Sequence, residues 1–186
     1  PSDAISTEKL VEEMAAHEGI AYIRTTRMDT PILYRIENHE SGIMNHDNLV
    51  AHDFKIGGSC TLRSSENDHV TVVAAGVTLH EALAAYEELK KEEIAVRVID
   101  LYSIKPLDIA TLQKAARETR AIITVEDHFA QGGLGEAVTS ALSATSAQIH
   151  ILAVRKMPKS GKPTELLAFE EISRSAIVKK VKEILS

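Results

Sequence analysis

Apolar residues recur along this chain in two rhythms, and the change from one to the other marks its elements. From His69 to Ala75 the run is β-branched and nearly continuous (Val70, Val72, Val73), which is the pattern of a buried strand, and Gly76 turns the chain. Leu79, Ala82, Leu83, Tyr86 and Leu89 then share one helical face, with Lys90 and Lys91 at the negative end of the helix dipole. Thr78 and Glu81 read as a capping box at that helix's start. Ile94 to Ile99 reads as a second strand, and Asp108 caps a helix carrying Ile109, Leu112 and Ala116. Ile122 to Val125 form a third strand, and Ala137, Val138, Ala141 and Leu142 return to helical spacing. Ile149 to Val154 is the fourth strand, and Ser173 caps a last helix bearing Ile177, Val178, Val181, Ile184 and Leu185. Uninterrupted alternation of strand and helix predicts an α/β fold around a mainly parallel sheet with right-handed crossovers.

The first 65 residues are less regular. Thr7, Leu10, Val11 and Met14 fall on one helical face, and Gly19 stops that helix. Ile20 to Ile23 reads as a strand ending in Arg24-Thr25-Thr26-Arg27. One helix and one strand cannot bury their apolar faces on each other alone, so this stretch reads as the tail of a domain whose body lies elsewhere, in a longer polypeptide. From Pro31 to Ser65 periodicity fades. His39, His46 and His52, among Glu40, Asp47 and Asp53, lack the close pairing of zinc ligands, so a solvated linker with incidental histidines is the favoured reading. Phe54 to Gly58 and Cys60 to Arg63 are expected to form an edge strand after a glycine bend.

The stretch from Ala121 to Ala137 carries the candidate chemistry. Its strand ends in Glu126-Asp127-His128, followed by Gly132, Gly133 and Gly135 at the start of a helix. Functional loops of open parallel sheets lie at the carboxyl ends of strands, and a helix start offers free N–H groups to an anion. Gly-Gly-x-Gly is nevertheless short of the dinucleotide fingerprint, and no acidic residue about 20 positions further on is placed to read a ribose. Tight packing against the sheet or a subunit is favoured for the three glycines. Glu126, Asp127 and His128 suit acid–base work by type and place, but bonding to nearby backbone or to a partner subunit is the preferred reading.

Composition narrows the classes. The chain has 186 residues, 44% hydrophobic and 26% charged, with a net charge of −6. The acidic balance argues against a general nucleic-acid binder. A single cysteine, Cys60, excludes an intrachain disulfide and fits a reducing, cytoplasmic setting. No apolar run is long enough for a membrane-spanning helix, and no secretory signal pattern stands at the start. Neither a P-loop, a G-x-S-x-G elbow, paired cysteines nor H-E-x-x-H occurs.

Five ordered motifs carry a resemblance. Thr71 to Leu83 (T-V-V-A-A-G-V-T-L-H-E-A-L) resembles the start of the C-terminal domain of transketolases. Ile104-Lys105-Pro106-Leu107-Asp108, Thr124 to His128, Gly132 to Val138 and Ser160 to Leu167 follow in that family's order. Pro1-Ser2-Asp3, Thr7-Glu8 and Ile23 to Arg27 are similar to the end of its pyrimidine-binding domain, and the likeness is weakest from Arg35 to Asp53. The resemblance implies a three-layer α/β domain, a mainly parallel open sheet with helices on both faces. It divides the chain into a pyrimidine-domain tail (1–35), a linker with an edge strand (36–65) and the C-terminal domain (66–186).

What this implies for function is the transfer of a two-carbon ketol unit between sugar phosphates in the pentose phosphate pathway. The complete enzyme uses thiamine diphosphate and Mg2+, whose ylid performs the carbanion chemistry, and works as a homodimer. The chain has neither the metal-and-diphosphate motif nor the stretch that carries the family's activating glutamate; Glu8, Glu12 and Glu126 do not match that position. It is therefore expected to bind no cofactor or metal by itself, to hold no catalytic residue and to be inactive alone. It would serve dimerisation, as a homodimer or paired with a missing N-terminal part. One site residue carries over: Arg27 matches the arginine that reaches the substrate phosphate, whereas Arg24 is expected to be structural. Glu126, Asp127, His128, Gly132, Gly133 and Gly135 are expected to form an interface or structural loop. The competing readings are deoxyxylulose-phosphate synthase, the β subunit of a 2-oxoacid dehydrogenase, and a non-catalytic interaction module.

Overall fold

The computed structural model describes residues 1–35, 49–50 and 53–186. Five strands form the main sheet: β3 (Cys60–Arg63), β4 (Val70–Ala74), β5 (Val96–Asp100), β6 (Ala121–Phe129) and β7 (Gln148–Val154), in the order β3-β5-β4-β6-β7. The last four run parallel, and the edge strand β3 pairs antiparallel with β5. A separate two-stranded pair joins β1 (Tyr34–Arg35) to β2 (Leu49–Val50). The expected mainly parallel α/β sheet is present.

Two cores, one on each face, make this a three-layer molecule. Val70, Val72, Val96, Val98, Ile123 and Val125 meet α2 (Val77–Lys91) and α6 (Arg174–Leu185) through Leu79, Leu89, Ile177 and Val181. On the other face Val73, Ile99 and Ile122 meet α3 (Ile109–Glu118) and α4 (Leu134–Ala141) through Leu112, Ala115, Leu134 and Val138. Continuous β-branched strands belong in such a sheet because both of their faces are covered. Between β7 and α6, the short helix α5 (Pro163–Phe169) starts on proline, whose fixed φ suits a first helical position.

Asp108 caps α3 as expected, accepting from Thr111 N–H at 3.0 Å. Several expectations fail. Thr78 and Glu81 form no capping box: Gly76 is the N-cap, and the Thr78 hydroxyl donates to the Ala75 and Val125 carbonyls instead. Glu81 accepts from the Arg174 amide at the start of α6. Ser173 is the N-cap of α6, but its hydroxyl bonds Ser175 Oγ and leaves the helix amides uncapped. Ile20 to Ile23 forms no strand: Ile20 is fully exposed and Tyr22 is 85% exposed. A β-rich tetrapeptide becomes a strand only beside a neighbour that takes its backbone bonds and side chains. Phe54 to Gly58 passes through a turn, and only Cys60–Arg63 pairs. The first helix, α1 (Ala4–Ala16), ends at Ala16 rather than at Gly19. The expectation about His39, His46 and His52 lies outside the described residues.

A true capping box opens α1. Asp3 Oδ1 accepts from Ser6 N–H and from its hydroxyl, both at 2.7 Å, while Ser6 Oγ accepts from the Asp3 amide. Asp3 Oδ2 accepts from the Leu33 and Tyr34 amides at 2.8 and 2.9 Å, so one carboxylate closes a loop of thirty residues. Beside it, fully buried Asp100 at the end of β5 accepts from Tyr34 Oη at 2.8 Å and Ser2 Oγ at 3.1 Å, while its Oδ1 has no partner. The ring of Tyr34 stands edge-to-face on Phe54 at 4.9 Å. His80, on α2, bonds the Ser2 carbonyl at 2.7 Å. The start of the chain, through Ser2 and Asp3, and Tyr34 are thus docked at the carboxyl ends of β4 and β5.

Burial pushes the Asp100 carboxyl up to about 6, from 3.8, against the downward pull of the Tyr34 hydroxyl. Between those values the folded chain keeps a proton that the unfolded chain has lost, so stability from this group is full below 3.8 and is lost as pH rises to about 6. Asp100→Asn, which is neutral throughout and still offers a carbonyl oxygen, should therefore gain melting temperature relative to the parent as pH rises through that window. The gain should level off above it. Thermal melts from acid to neutral pH check this, and a parent–variant difference that does not change across the window contradicts it.

Candidate functional site

The candidate loop follows β6, which does not stop at Val125 but runs four residues past the regular ladder, to Phe129. Pairing with β7 breaks between Val125 and Phe129, and the irregularity turns successive side chains in different directions. Glu126 turns inward and is 4% exposed, whereas Asp127 and His128 face outward. The Glu126 carboxylate lies on the N-terminus of α4: Oε2 accepts from Leu134 N–H at 2.7 Å and Oε1 from Gly135 N–H at 2.9 Å. A helix start has unpaired amides and the positive end of its dipole, so a carboxylate there is held by both. Burial nevertheless pushes the Glu126 carboxyl above its usual range, outweighing the downward pull of the Gly135 and Leu134 amides.

The glycines follow from this seat. A Cβ on Gly133 would stand 2.0 Å from Glu126 Oε2 and 2.7 Å from the Phe129 carbonyl, so only glycine leaves room for the carboxylate. At Gly135 a Cβ would meet Ile151 Cγ2 at 2.6 Å and Thr124 Oγ1 at 2.9 Å, which is where α4 presses on the sheet. Gly132 has a φ of +70°, and its amide donates to Glu136 Oε2 at 2.8 Å. The anion-binding end of this helix is therefore taken by the chain's own Glu126.

The neighbours of Glu126 are engaged as well. His128 Nδ1 bonds the Phe129 carbonyl at 2.7 Å and lies 3.9 Å from Glu126 Oε2. Arg24 Nη2 donates to the Asp127 carbonyl, and the same guanidinium lies 3.6 Å from Asp127 Oδ2. Burial raises the Asp127 carboxyl, opposed by Arg24. Arg27, three residues on, is exposed and makes no side-chain hydrogen bond or ion pair among the described residues. The structure thus brings Arg24 to the Glu126-Asp127-His128 tip and leaves Arg27 facing solvent. Sequence reasoning missed the Asp3 and Asp100 carboxylates, although an Asp three residues before Ser6, at the start of an apolar face, is a legible cap signal.

Among the described residues no group of three or more His, Cys, Asp or Glu side chains is placed to hold a metal. With the α4 amides filled and residues 1–3 lying over the ends of β4 and β5, the described residues do not fit a metal-bound diphosphate. No helix among them is long and apolar enough to cross a membrane.

The family model described as the transketolase C-terminal domain matches residues 59–177. Transketolase-like protein 1 of Bos taurus is 46% identical over 187 residues, covering 100% of this chain and 29% of that protein. Transketolase of Homo sapiens is 45% identical over 188 residues, covering 100% and 28%. The chain thus spans less than a third of the curated relatives it matches. Among solved structures, a split-gene transketolase described as an inactive beta4 tetramer superposes with TM-score 0.83 at 32% identity, covering 100% of this chain and 56% of that one. A 2-oxoglutarate:ferredoxin oxidoreductase from Magnetococcus marinus reaches TM-score 0.52 at 17% identity over 69% of this chain and 20% of that one, a likeness of fold alone.

The glycine seat is open to test without any ligand. Gly135→Val overpacks α4 against Ile151 and should cost about 1–3 kcal/mol, read as roughly 2–4 °C of melting temperature per kcal/mol for a chain of this size. Gly133→Ala, which evicts the Glu126 carboxylate, should destabilise in the same direction. Parent-like melting for both variants contradicts the seat.

Proposed function

The chain belongs to the transketolase family, and on that premise we propose that it supplies the C-terminal portion of an enzyme that transfers a two-carbon ketol unit between sugar phosphates, in the cytoplasm, with thiamine diphosphate and Mg2+ bound elsewhere. The carrying observation is the match to transketolases along the whole chain at 45–46% identity. That level of likeness supports this reading ahead of deoxyxylulose-phosphate synthase, a 2-oxoacid dehydrogenase β subunit or a purely structural module. Residues 1–35 act as the tail of a pyrimidine-binding domain, 36–65 as a linker ending in the edge strand, and 66–186 as the C-terminal domain. The family match over 59–177 supports the last of these. The working form is a dimer, of this chain extended or of this chain paired with a polypeptide carrying the other domains.

In this assembly the chain handles substrate rather than cofactor. Arg27 takes the sugar phosphate: its guanidinium is exposed and unpaired among the described residues, and it can give two parallel charge-assisted hydrogen bonds to phosphate oxygens. The Glu126 loop and its glycines hold the sheet's carboxyl end in shape and take no part in chemistry. The thiamine group would supply the carbanion chemistry from the domains outside this chain.

The test is made in the assembled enzyme. Arg27→Ala should lower kcat/KM for phosphorylated sugars by about ten- to a hundredfold, the equivalent of losing a charge-assisted bond of ~1.5–3 kcal/mol. Unphosphorylated sugars should be affected little. Steady-state kinetics on both substrate types measure this, and equal losses would make Arg27 a structural residue.

A further inference from the structure

From Glu18 to Ile32 the chain forms no helix or strand. Among the described residues, the one hydrogen-bonded or ionic tie between this stretch and the rest of the molecule is Arg24 to Asp127, 103 positions apart. Ile23 packs beside it against the larger core, so an apolar anchor and a polar tether act on adjacent residues. The tether is directional. Its acceptor is a backbone carbonyl, and that carbonyl is fixed because Glu126, one residue earlier, is held by the Leu134 and Gly135 amides. The Asp127 carboxylate adds an ion pair to the same guanidinium at 3.6 Å. Only Thr25 and Thr26 separate Arg24 from Arg27, too short a span for the second arginine to wander far once the first is held.

We propose that Asp127, acting through Arg24, is a positioning residue that fixes where Arg27 meets the substrate phosphate. The inference rests on the phosphate-binding reading of Arg27 given above. Neither Arg24 nor Asp127 touches substrate. Their part is to hold the arm's free arginine at one place on the sheet's carboxyl end, so that little ordering remains to be done when phosphate binds. Arg24 makes both contacts, whereas the Asp127 side chain supplies only the weaker, half-exposed ion pair. Removing Arg24 should therefore cost more than removing the Asp127 carboxylate.

The experiment compares kcat/KM for phosphorylated and unphosphorylated sugars in the assembled enzyme carrying Arg24→Ala, Asp127→Ala, Arg27→Ala or the Arg24→Ala/Arg27→Ala pair, with melting temperature and assembly checked for each. The expected result is a fall in preference for the phosphorylated sugar of roughly tenfold for Arg24→Ala and a few-fold for Asp127→Ala, carried mainly by KM. No further fall should appear when Arg24→Ala is added to Arg27→Ala, because the tether would then have nothing to position. If Arg24→Ala leaves the preference intact while Arg27→Ala abolishes it, the positioning role is overturned and the reading of Arg27 stands. Equal losses on both sugars in Arg24→Ala also overturn it, as the mark of a merely structural contact. If Arg27→Ala itself leaves the preference unchanged, the phosphate reading fails and the positioning role falls with it.

Discussion

The structure at the carboxyl end of the sheet depends on one buried carboxylate, that of Glu126, seated on the first amides of α4. Its two oxygens satisfy donors that would otherwise be orphaned, and its charge lies where the helix dipole favours it. Much of the local sequence follows from that seat. Gly133 has no side chain because the carboxylate occupies the space, and Gly135 has none because the helix must then lie hard against Ile151 and Thr124. The irregular end of β6 turns Glu126 inward and Asp127 outward, which hands the Asp127 carbonyl to Arg24. Two more buried carboxylates repeat the device. Asp3 closes α1 onto Leu33 and Tyr34, and Asp100 draws in Tyr34 and Ser2. At the strand ends where an open α/β sheet commonly binds ligands, this chain binds itself.

That arrangement suits the division of labour proposed above. A sheet end filled by its own carboxylates and its own N-terminal residues is a poor cradle for a diphosphate, but it is a rigid platform on which an arm can be fixed. The arm runs from α1 past Arg24 to Tyr34, tied at Asp3, Asp127 and Asp100. Likeness to transketolases along the whole chain is the context for our proposal that the cofactor chemistry belongs to other domains and that Arg27, on the arm, meets the substrate phosphate.

The sheet domain was legible because its signals are local. Valine and isoleucine runs buried on both faces, alternating with helical stripes such as Leu79-Ala82-Leu83-Tyr86-Leu89, are read within a dozen residues. What was not legible depended on distant partners. Thr78 had the spacing of a capping residue, yet the Val125 carbonyl, 47 positions on, competed for its hydroxyl. Ser173 likewise turned to Ser175, and its helix is held by burial of Ile177 and Val181 rather than by a cap. Ile20 to Ile23 had the composition of a strand without a neighbouring strand in the described residues to pair with. The spacing of the glycine turn points to packing, but nothing in it announces that a carboxylate six residues before Gly132 fills it. Arg24 and Arg27 were separable only by resemblance, since two exposed arginines in one tetrapeptide carry the same local signal.

Amide NMR of the 15N-labelled chain tests the Glu126 seat most directly, by following Leu134 and Gly135 through a pH titration and then through addition of inorganic phosphate. With the carboxylate in place, both amide protons move together along a single carboxyl titration whose midpoint lies above the usual glutamate value, and phosphate leaves them unmoved. Amides that ignore the titration and shift saturably with phosphate would show an open anion site at the start of α4, and the self-filled sheet end described here would be wrong.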